Sequence, residues 1–213
     1  MQKFMMGRKL GMTQVFDPTG KVIPVTVIQA GPCVVVQKKT VSTDGYDALR
    51  LGYSPVEAKK LTKPERGLFE KTKIQPVKVL REARIANADE YQVGQEIKCD
   101  VFADGDYVDI TGVSRGKGFA GSIKRHGFGR GPMAHGSKYH RGSGSLQSRD
   151  AARVFKGRKL PGRMGGDRIT VQKLRVVRVD PENNIILVRG AVPGARGTLV
   201  TIRDTVKRKF ART

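Results

Sequence analysis

The sequence of 213 residues contains no tryptophan, only two cysteines and few residues of negative charge. Asp and Glu supply 19 residues against 41 Lys and Arg, which gives a net charge of +22 and a pI of about 10.5. A chain this far from neutrality repels itself unless a polyanion neutralises it, and a pI above about 9 is typical of nucleic-acid-binding domains. The composition therefore favours a nucleic acid as the partner.

The cysteine content and the lack of long apolar runs exclude further classes of protein. Cys33 and Cys99 form neither a metal-ligand pattern nor a disulfide framework, and both lie in apolar sequence. We expect buried free thiols, as in a reducing cytosol. No apolar run approaches the roughly 18 residues that span a membrane, and residues 1–9 lack the apolar core of a secretion signal. The sequence predicts a cytoplasmic protein without a membrane partner.

Basic residues and glycines are concentrated in one part of the chain. Residues 114–175 hold 16 Lys and Arg, two Asp, 13 of the 26 glycines and all three histidines. The sequence on either side is closer to ordinary globular composition. The chain is therefore organised as a folded protein with a basic, glycine-rich insert, followed by a short basic tail at residues 207–213.

Both flanks of the insert are dominated by short strand-like segments. These segments are residues 12–16, 21–30, 34–36, 98–102, 107–113, 175–179, 185–188 and 199–203. Turn residues at 17–20 and 180–184 predict two hairpins, and Asp104-Gly105 predicts a third between residues 98–102 and 107–113. Pro24 indicates a strand edge or a bulge, since proline cannot donate to a β-ladder. Many short strands with Gly/Pro turns favour an antiparallel barrel or sandwich.

Residues 55–73 depart from this pattern. They contain helix formers without alternation, which predicts one or two short helices with Pro64 in a first turn. Strand-like residues 46–53 and 76–84 lie on either side, so a small α+β insertion is predicted. The predicted divisions are barrel strands at 1–42, 94–113 and 169–206, the α+β insertion at 43–93, an extended basic loop at 114–168 and the tail at 207–213.

The loop lacks the patterns of catalytic, metal and nucleotide sites. Residues 116–121 fit GxGxxG, but neither a lasting helix nor an acidic residue about 20 positions later follows. Its three histidines have no cysteine nearby, and the surrounding cations oppose a metal ion. No local carboxylate could orient a catalytic histidine. We therefore expect no enzyme activity, no cofactor, no metal and no small-molecule substrate.

The loop instead combines cations and rings on a backbone rich in glycine. Glycine allows close approach to phosphates, arginine binds phosphate with two donors, and rings stack on unpaired RNA bases. Phe119 and Phe128 are further candidate stacking rings. The candidate RNA-binding residues are Arg115, Lys117, Lys124, Arg125, His126, Arg130, His135, Lys138, Tyr139, His140, Arg141, Arg149, Arg153, Lys156, Arg158, Lys159, Arg163 and Arg168. With few apolar residues, the loop is expected to be extended and to order on binding. A merely solvated loop is the alternative, and DNA is the weaker partner because no DNA-binding motif is visible.

Several motifs resemble the universal large-subunit ribosomal protein three family in its bacterial form. The similarity is collinear from Gly7 to about Val206 and begins with GRKLGMTQVF at residues 7–16. The other matching segments are residues 23–27, 30–32, 44–46, 116–119, 124–127, 131–137, 154–157, 162–165 and 188–194. The length suits the bacterial form.

The resemblance implies a mainly β fold: a six-stranded barrel of the translation-protein type, a small α/β insertion and a long central loop. It also implies a structural constituent of the large ribosomal subunit that binds ribosomal RNA near its 3′ end and acts early in assembly. The loop would run toward the peptidyl transferase centre. Implied partners are large-subunit ribosomal RNA and neighbouring ribosomal proteins, with no homo-oligomer.

The loop tip, expected around residues 142–152, departs from the usual family pattern. Ser143 stands where many bacterial members have proline, and Gln147 where they have glycine. The substitutions predict a more flexible chain at 143 and a more restricted one at 147. Two other functions stay open at this point. An RNA-modifying enzyme would need a catalytic cluster in the barrel, and a nonspecific nucleic-acid-packaging protein would bind DNA and RNA alike.

Overall fold

The computed structural model describes residues 3–85, 88–147 and 149–207, so all of the predicted tail except Lys207 lies outside the described residues. The strands are β1 (Phe4–Phe16), β2 (Val22–Ala30), β3 (Cys33–Lys39), β4 (Ala48–Pro55), β5 (Val77–Arg84), β6 (Glu96–Ile97), β7 (Tyr107–Val113), β8 (Phe119–Ala120), β9 (Gly162–Arg163), β10 (Arg168–Asp180), β11 (Ile185–Arg189) and β12 (Leu199–Asp204). The α-helices are α1 (Val41–Asp44), α2 (Lys63–Thr72) and α3 (Ser122–His126), with 3-10 turns at Ala58–Lys60, Ala88–Glu90 and Cys99–Val101.

Six strands close into a barrel in the order β1-β12-β7-β10-β11-β2, and every neighbouring pair is antiparallel. Met5, Ile202 and Ile110 stand opposite one another on three adjacent strands and are fully buried. Each such side chain contributes roughly 1.5–3 kcal/mol by leaving water. The closed barrel confirms the predicted fold class and leaves no sheet edge around its circumference.

The two hairpins predicted from turn residues 17–20 and 180–184 are confirmed as β1–β2 and β10–β11. Gly20 has a φ of 79°, which a glycine adopts without strain. The Asp180 carboxylate accepts hydrogen bonds from the backbone of the second turn, and the side chain of Asn183 holds its pKa below the ordinary value. Pro24 lies one residue beyond the last β2 partner of β11, so its missing N–H removes no bond from that ladder.

A four-stranded sheet in the order β5-β4-β3-β6 forms the insertion, with α2 packed on it. Helix α2 begins with a capping box, in which the backbone and hydroxyl of Thr62 donate to Glu65 and lower the pKa of that carboxyl. Phe69 of α2 is buried against Val36 and Val77. The predicted helices and the strands on either side of them are therefore confirmed.

Two predictions about the edges of this insertion are wrong. β3 and β6 pair with each other in the four-stranded sheet, so the sheet begins before residue 43 and continues past residue 93. Residues 98–102 form no strand and no hairpin with β7, whose partners are β10 and β12. The 3-10 turn instead places Cys99 and Phe102, three residues apart, on one buried side.

Residues 114–167 form a compact unit separate from the rest of the chain. Within this unit, which we call the loop, the described regular structure is limited to the β8–β9 pair and the five-residue helix α3. Arg168, predicted as the last residue of the loop, is instead the first residue of β10 and stands opposite Val113.

The free thiols of Cys33 and Cys99 are buried, as predicted. The pKa of Cys33 is raised from 9.0 to about 11. Burial of the thiol is the main cause, and a hydrogen bond with the Met6 backbone opposes part of the shift. Only the thiolate reacts, so we expect alkylation by iodoacetamide at pH 8 to be at least about 100-fold slower in the folded chain than in denaturant. Equal rates in both conditions, measured by mass spectrometry, would contradict the buried assignment.

The same shift has a consequence for stability against pH. The folded pKa lies above the unfolded one, so the contribution of Cys33 is fully present below about pH 9. It is lost as the pH rises toward 11, because the unfolded thiol ionises first. We expect the urea midpoint to fall between pH 8 and pH 10, and to fall less in Cys33→Ala.

Candidate nucleic-acid interface

Closely spaced backbone hydrogen bonds join the two ends of the loop. Ser114 N donates to Asp167 O at 2.9 Å, and Lys117 N donates to Met164 O at 2.8 Å. Between them Gly165 has a φ of 77°, and a Cβ built there would lie 2.0 Å from the carbonyl oxygen of Arg115. No other residue fits this position without moving the backbone. The base of the loop is therefore a narrow, hydrogen-bonded neck.

The cations of the loop have almost no acidic neighbours. Thirteen Lys and Arg stand against Asp150 and Asp167, and no loop cation forms an ion pair among the residues that the structure describes. Sixteen of the eighteen predicted RNA-binding residues are exposed, and His126 and His140 are half-buried. The structure thus exposes the predicted Lys and Arg side chains without an ion-paired carboxylate among the described residues, and such uncompensated charge attracts phosphates.

Some predicted ligands also fold the loop. The Arg125 guanidinium (2.9 Å) and His126 Nε2 (3.0 Å) both donate to the carbonyl oxygen of Leu160. His140 Nδ1 donates to Pro132 O at 3.0 Å, and Arg158 donates to Ser145 O at 3.0 Å. These side chains connect segments that are distant in sequence, so they shape the loop as well as carrying charge.

Tyr139 has a structural role that its sequence did not reveal. Its hydroxyl donates to Gly142 O at 2.6 Å. A Cβ at Gly131 would lie 2.0 Å from Tyr139 O, and a Cβ at Gly142 would lie 2.6 Å from the ring. The glycines therefore let two backbone segments pack against the tyrosine, while 48% of the residue stays exposed.

Replacing Gly131 is expected to disrupt this turn. In Gly131→Ala the new methyl group meets backbone that cannot rotate away, so we expect RNA affinity to fall by about tenfold through misplacement of the cations around it. The matched control is Gly129→Ala, because a Cβ there meets nothing. Equal affinities of the two variants in a filter-binding assay would contradict the role of this packing.

Exposed rings accompany the cations. Phe119 is 80% exposed, and Phe155 is exposed with the Arg153 guanidinium 5.3 Å from its ring centre. Phe155 was not among the predicted residues, although its position between Val154 and Lys156 in a basic segment was the available signal. Such rings can stack on unpaired bases.

Two serine hydroxyls form hydrogen bonds at the loop tip, one to a distant residue and one to a nearby backbone carbonyl. Ser143 Oγ lies 2.8 Å from Ser122 Oγ, a contact that proline could not make. Ser145 Oγ donates to the carbonyl oxygen of Gln147 at 3.0 Å. The tip is thus held by hydroxyl groups, which gives Ser143 an anchor in place of the ring of a proline.

No three His, Cys, Asp or Glu side chains of the described residues lie together so as to hold a metal ion. Among the described residues the buried polar side chains are Lys9, Thr26, Asp109, Thr111 and Ser122. Each of the five forms a hydrogen bond with a backbone group or with another hydroxyl, which accounts for its burial. No helix in the described parts of the chain is both long and apolar enough to cross a membrane.

Comparison with known proteins agrees with this architecture. A model of the family described as "Ribosomal protein L3" matches residues 78–184. "Large ribosomal subunit protein uL3" of Carboxydothermus hydrogenoformans is 58% identical over 209 residues, which cover 98% of this chain and 100% of that protein. The protein of the same name from Heliobacterium modesticaldum is 58% identical over 98% of this chain and 99% of its own length. The one from Desulforudis audaxviator is 57% identical over 97% of each chain. The closed barrel, the basic loop and this full-length similarity place the chain in the ribosomal protein L3 family, a family of structural proteins and not of enzymes.

Proposed function

We propose that the chain is a structural constituent of the large ribosomal subunit that binds large-subunit ribosomal RNA directly through its loop. One observation carries the proposal: 54 residues hold thirteen Lys and Arg with no ion pair among the described residues. Charge of this density without compensating carboxylates in the protein favours a polyanion as the partner. Full-length relatives named as large-subunit proteins support ribosomal RNA as this polyanion.

Different residues of the loop contact different parts of the RNA. Exposed cations such as Lys117, Arg130 and Lys138 neutralise phosphates, while Phe119 and Phe155 offer ring faces to unpaired bases. The His126, His140 and Tyr139 bonds hold the irregular path along which these groups are displayed. The protein binds and positions RNA, with the barrel as its folded scaffold.

The likeness to the family supports the position of this binding within the subunit. We place the contacts near the 3′ end of the large-subunit RNA, with the loop directed toward the peptidyl transferase centre. Binding there early in assembly would order the loop and the RNA together, since a segment with so small a core gains its packing from its partner. The site of action is the cytoplasmic ribosome, beside neighbouring large-subunit proteins and as a single copy.

Competition at matched salt tests the specificity of this binding. We expect large-subunit RNA to be bound at least about 100-fold more tightly than duplex DNA of equal length, because shaped single strands and ring stacking are available only in the RNA. Hydroxyl-radical footprinting should show protection near the 3′ end and in the peptidyl transferase region. Equal competition by duplex DNA, without a localised footprint, would support the nonspecific packaging protein instead.

A further inference from the structure

The end of the β1–β2 hairpin stands apart from the barrel ladder. β1 pairs with β12 only through Phe4–Arg8, and the pairing of β2 with β11 begins only at Val25. Residues 11–24 therefore form a two-stranded segment, here called the arm, whose outer edges have no strand partner among the described residues. An unpaired edge of this kind invites association with another chain.

One face of the arm is uncharged and largely apolar. Phe16 stands opposite Val22 and Gln14 opposite Pro24, and Met12 shares their face at a spacing of two residues. Met12, Phe16 and Val22 are 53%, 62% and 53% exposed. On a chain with a net charge of +22, five adjacent residues without a charge are a distinct chemical surface.

A depression of about 310 Å³ adjoins the arm and is called the arm pocket. Its apolar side is built by Val15 and Ile23, which stand opposite each other on the other face of the arm, together with Phe16 at the end of β1. Its polar side is built by Arg175, Arg178 and Arg189 of β10 and β11. None of these three arginines forms an ion pair with a described residue. The volume is at the lower limit of ordinary binding pockets, which suits a few side chains.

The lining of the arm pocket favours a protein over RNA. Its apolar groups are mainly aliphatic, and they gain free energy by meeting other apolar groups more than by meeting sugar and phosphate. Asp17 and Asp104 also line the pocket, so its rim carries carboxylates beside the three arginines. An apolar centre with a rim of both charges is the usual anatomy of a protein–protein interface, in contrast to the almost purely cationic loop.

We propose that the arm pocket binds a segment of a neighbouring large-subunit protein that carries an apolar side chain with a carboxylate beside it. The apolar side chain packs on Val15 and Ile23, which are a directly opposed pair of the arm, and the carboxylate pairs with Arg178 and Arg189. This inference rests on the proposed ribosomal role, because that role supplies the neighbouring protein.

Photocrosslinking in the assembled subunit tests the inference. The full chain, carrying a photoreactive phenylalanine analogue in place of Phe16, is introduced as the sole copy in its native host, and purified large subunits are irradiated. We expect mass spectrometry to identify an adduct with a peptide of another large-subunit protein that has an Asp or Glu next to an apolar residue. The analogue in place of Phe119 is the internal control and is expected to crosslink to RNA. An adduct of position 16 with RNA or with a second copy of this chain, or no adduct while position 119 reacts, would overturn the inference.

Charge substitutions test the carboxylate part. In the same crosslinking strain, Arg189→Glu is expected to lower the yield at position 16 by at least about tenfold, and Arg189→Lys to retain most of it. Arg196→Glu is the matched control, since Arg196 is exposed and does not line the pocket. An undiminished yield in Arg189→Glu would also overturn the inference. Failure of the ribosomal role is a separate result, because the chain would then be missing from the purified subunits before irradiation.

Discussion

Deleting residues 117–163 is expected to lower the affinity for large-subunit RNA by about 1,000-fold or more while leaving the barrel folded. The deletion removes twelve Lys and Arg and one Asp. Each lost phosphate contact reduces the slope of log affinity against log salt by about 0.7–0.9, so loss of six contacts reduces it by about 4–5. Filter binding across a salt series measures both quantities.

The barrel should survive because its ladder closes without the loop. Val113 of β7 stands opposite Arg168 of β10, and Ser114 N, which the deletion retains, lies 2.9 Å from Asp167 O, so a short Gly-Gly link can replace the deleted residues. We expect a single cooperative thermal transition in circular dichroism. Loss of that transition would show that the loop belongs to the folding unit, and an unchanged salt slope would show that RNA binds elsewhere.

Asp109→Ala is expected to lower the free energy of unfolding by about 3 kcal/mol, the largest effect of any single carboxylate described here. Asp109 is fully buried, and its two oxygens accept hydrogen bonds from the backbone of Lys173 (2.9 Å) and Val206 (3.2 Å). Lys173 has a φ of 57° at an irregularity in β10, where the pairing of β10 with β7 is interrupted. The carboxylate therefore stabilises backbone that receives no support from that β-ladder. A bond to a charged group contributes roughly 1.5–3 kcal/mol, and its loss leaves a buried donor unsatisfied.

Thermal unfolding measures this effect as a fall in Tm of about 6–12 °C for a chain of this length. Asp109→Asn keeps only one accepting oxygen, so its Tm should fall by about half as much as that of Asp109→Ala. Glu57→Ala is the control and should change Tm little, because Glu57 is exposed at the start of the 3-10 turn Ala58–Lys60 and its carboxylate forms no ion pair with a described residue. A Tm of Asp109→Ala equal to that of the control would show that the buried bonds are dispensable.

Local turn chemistry predicted much of the barrel. The turn residues at 17–20 and 180–184 join strands that are neighbours in both sequence and space, so short-range signals were sufficient for β1–β2 and β10–β11. In the insertion, Pro64 lies in the first turn of α2, as its sequence context predicted. The loop cations were predicted from composition alone, because almost no acid is present to compensate them.

Tertiary pairing decided the features that the sequence did not reveal. β3 has the same apolar character as a barrel strand, but its partners β4 and β6 place it in the other sheet. Lys9 lies in a basic motif and yet is buried, donating to the carbonyl oxygens of Val192 and Gly194, 183 and 185 residues away. The packing of Tyr139 on glycines and the burial of Asp109 depend on equally distant contacts or on backbone geometry that no local pattern encodes.

Sedimentation of the native protein from a lysate of its own cells, before and after a high-salt wash, tests whether the chain is a structural part of the large subunit. We expect the chain to migrate with the large subunit and to stay there after the wash, because the proposed role gives it many phosphate contacts and encloses its loop in RNA. A chain that runs free of the subunit, or leaves it in mild salt, would contradict a structural role in the ribosome.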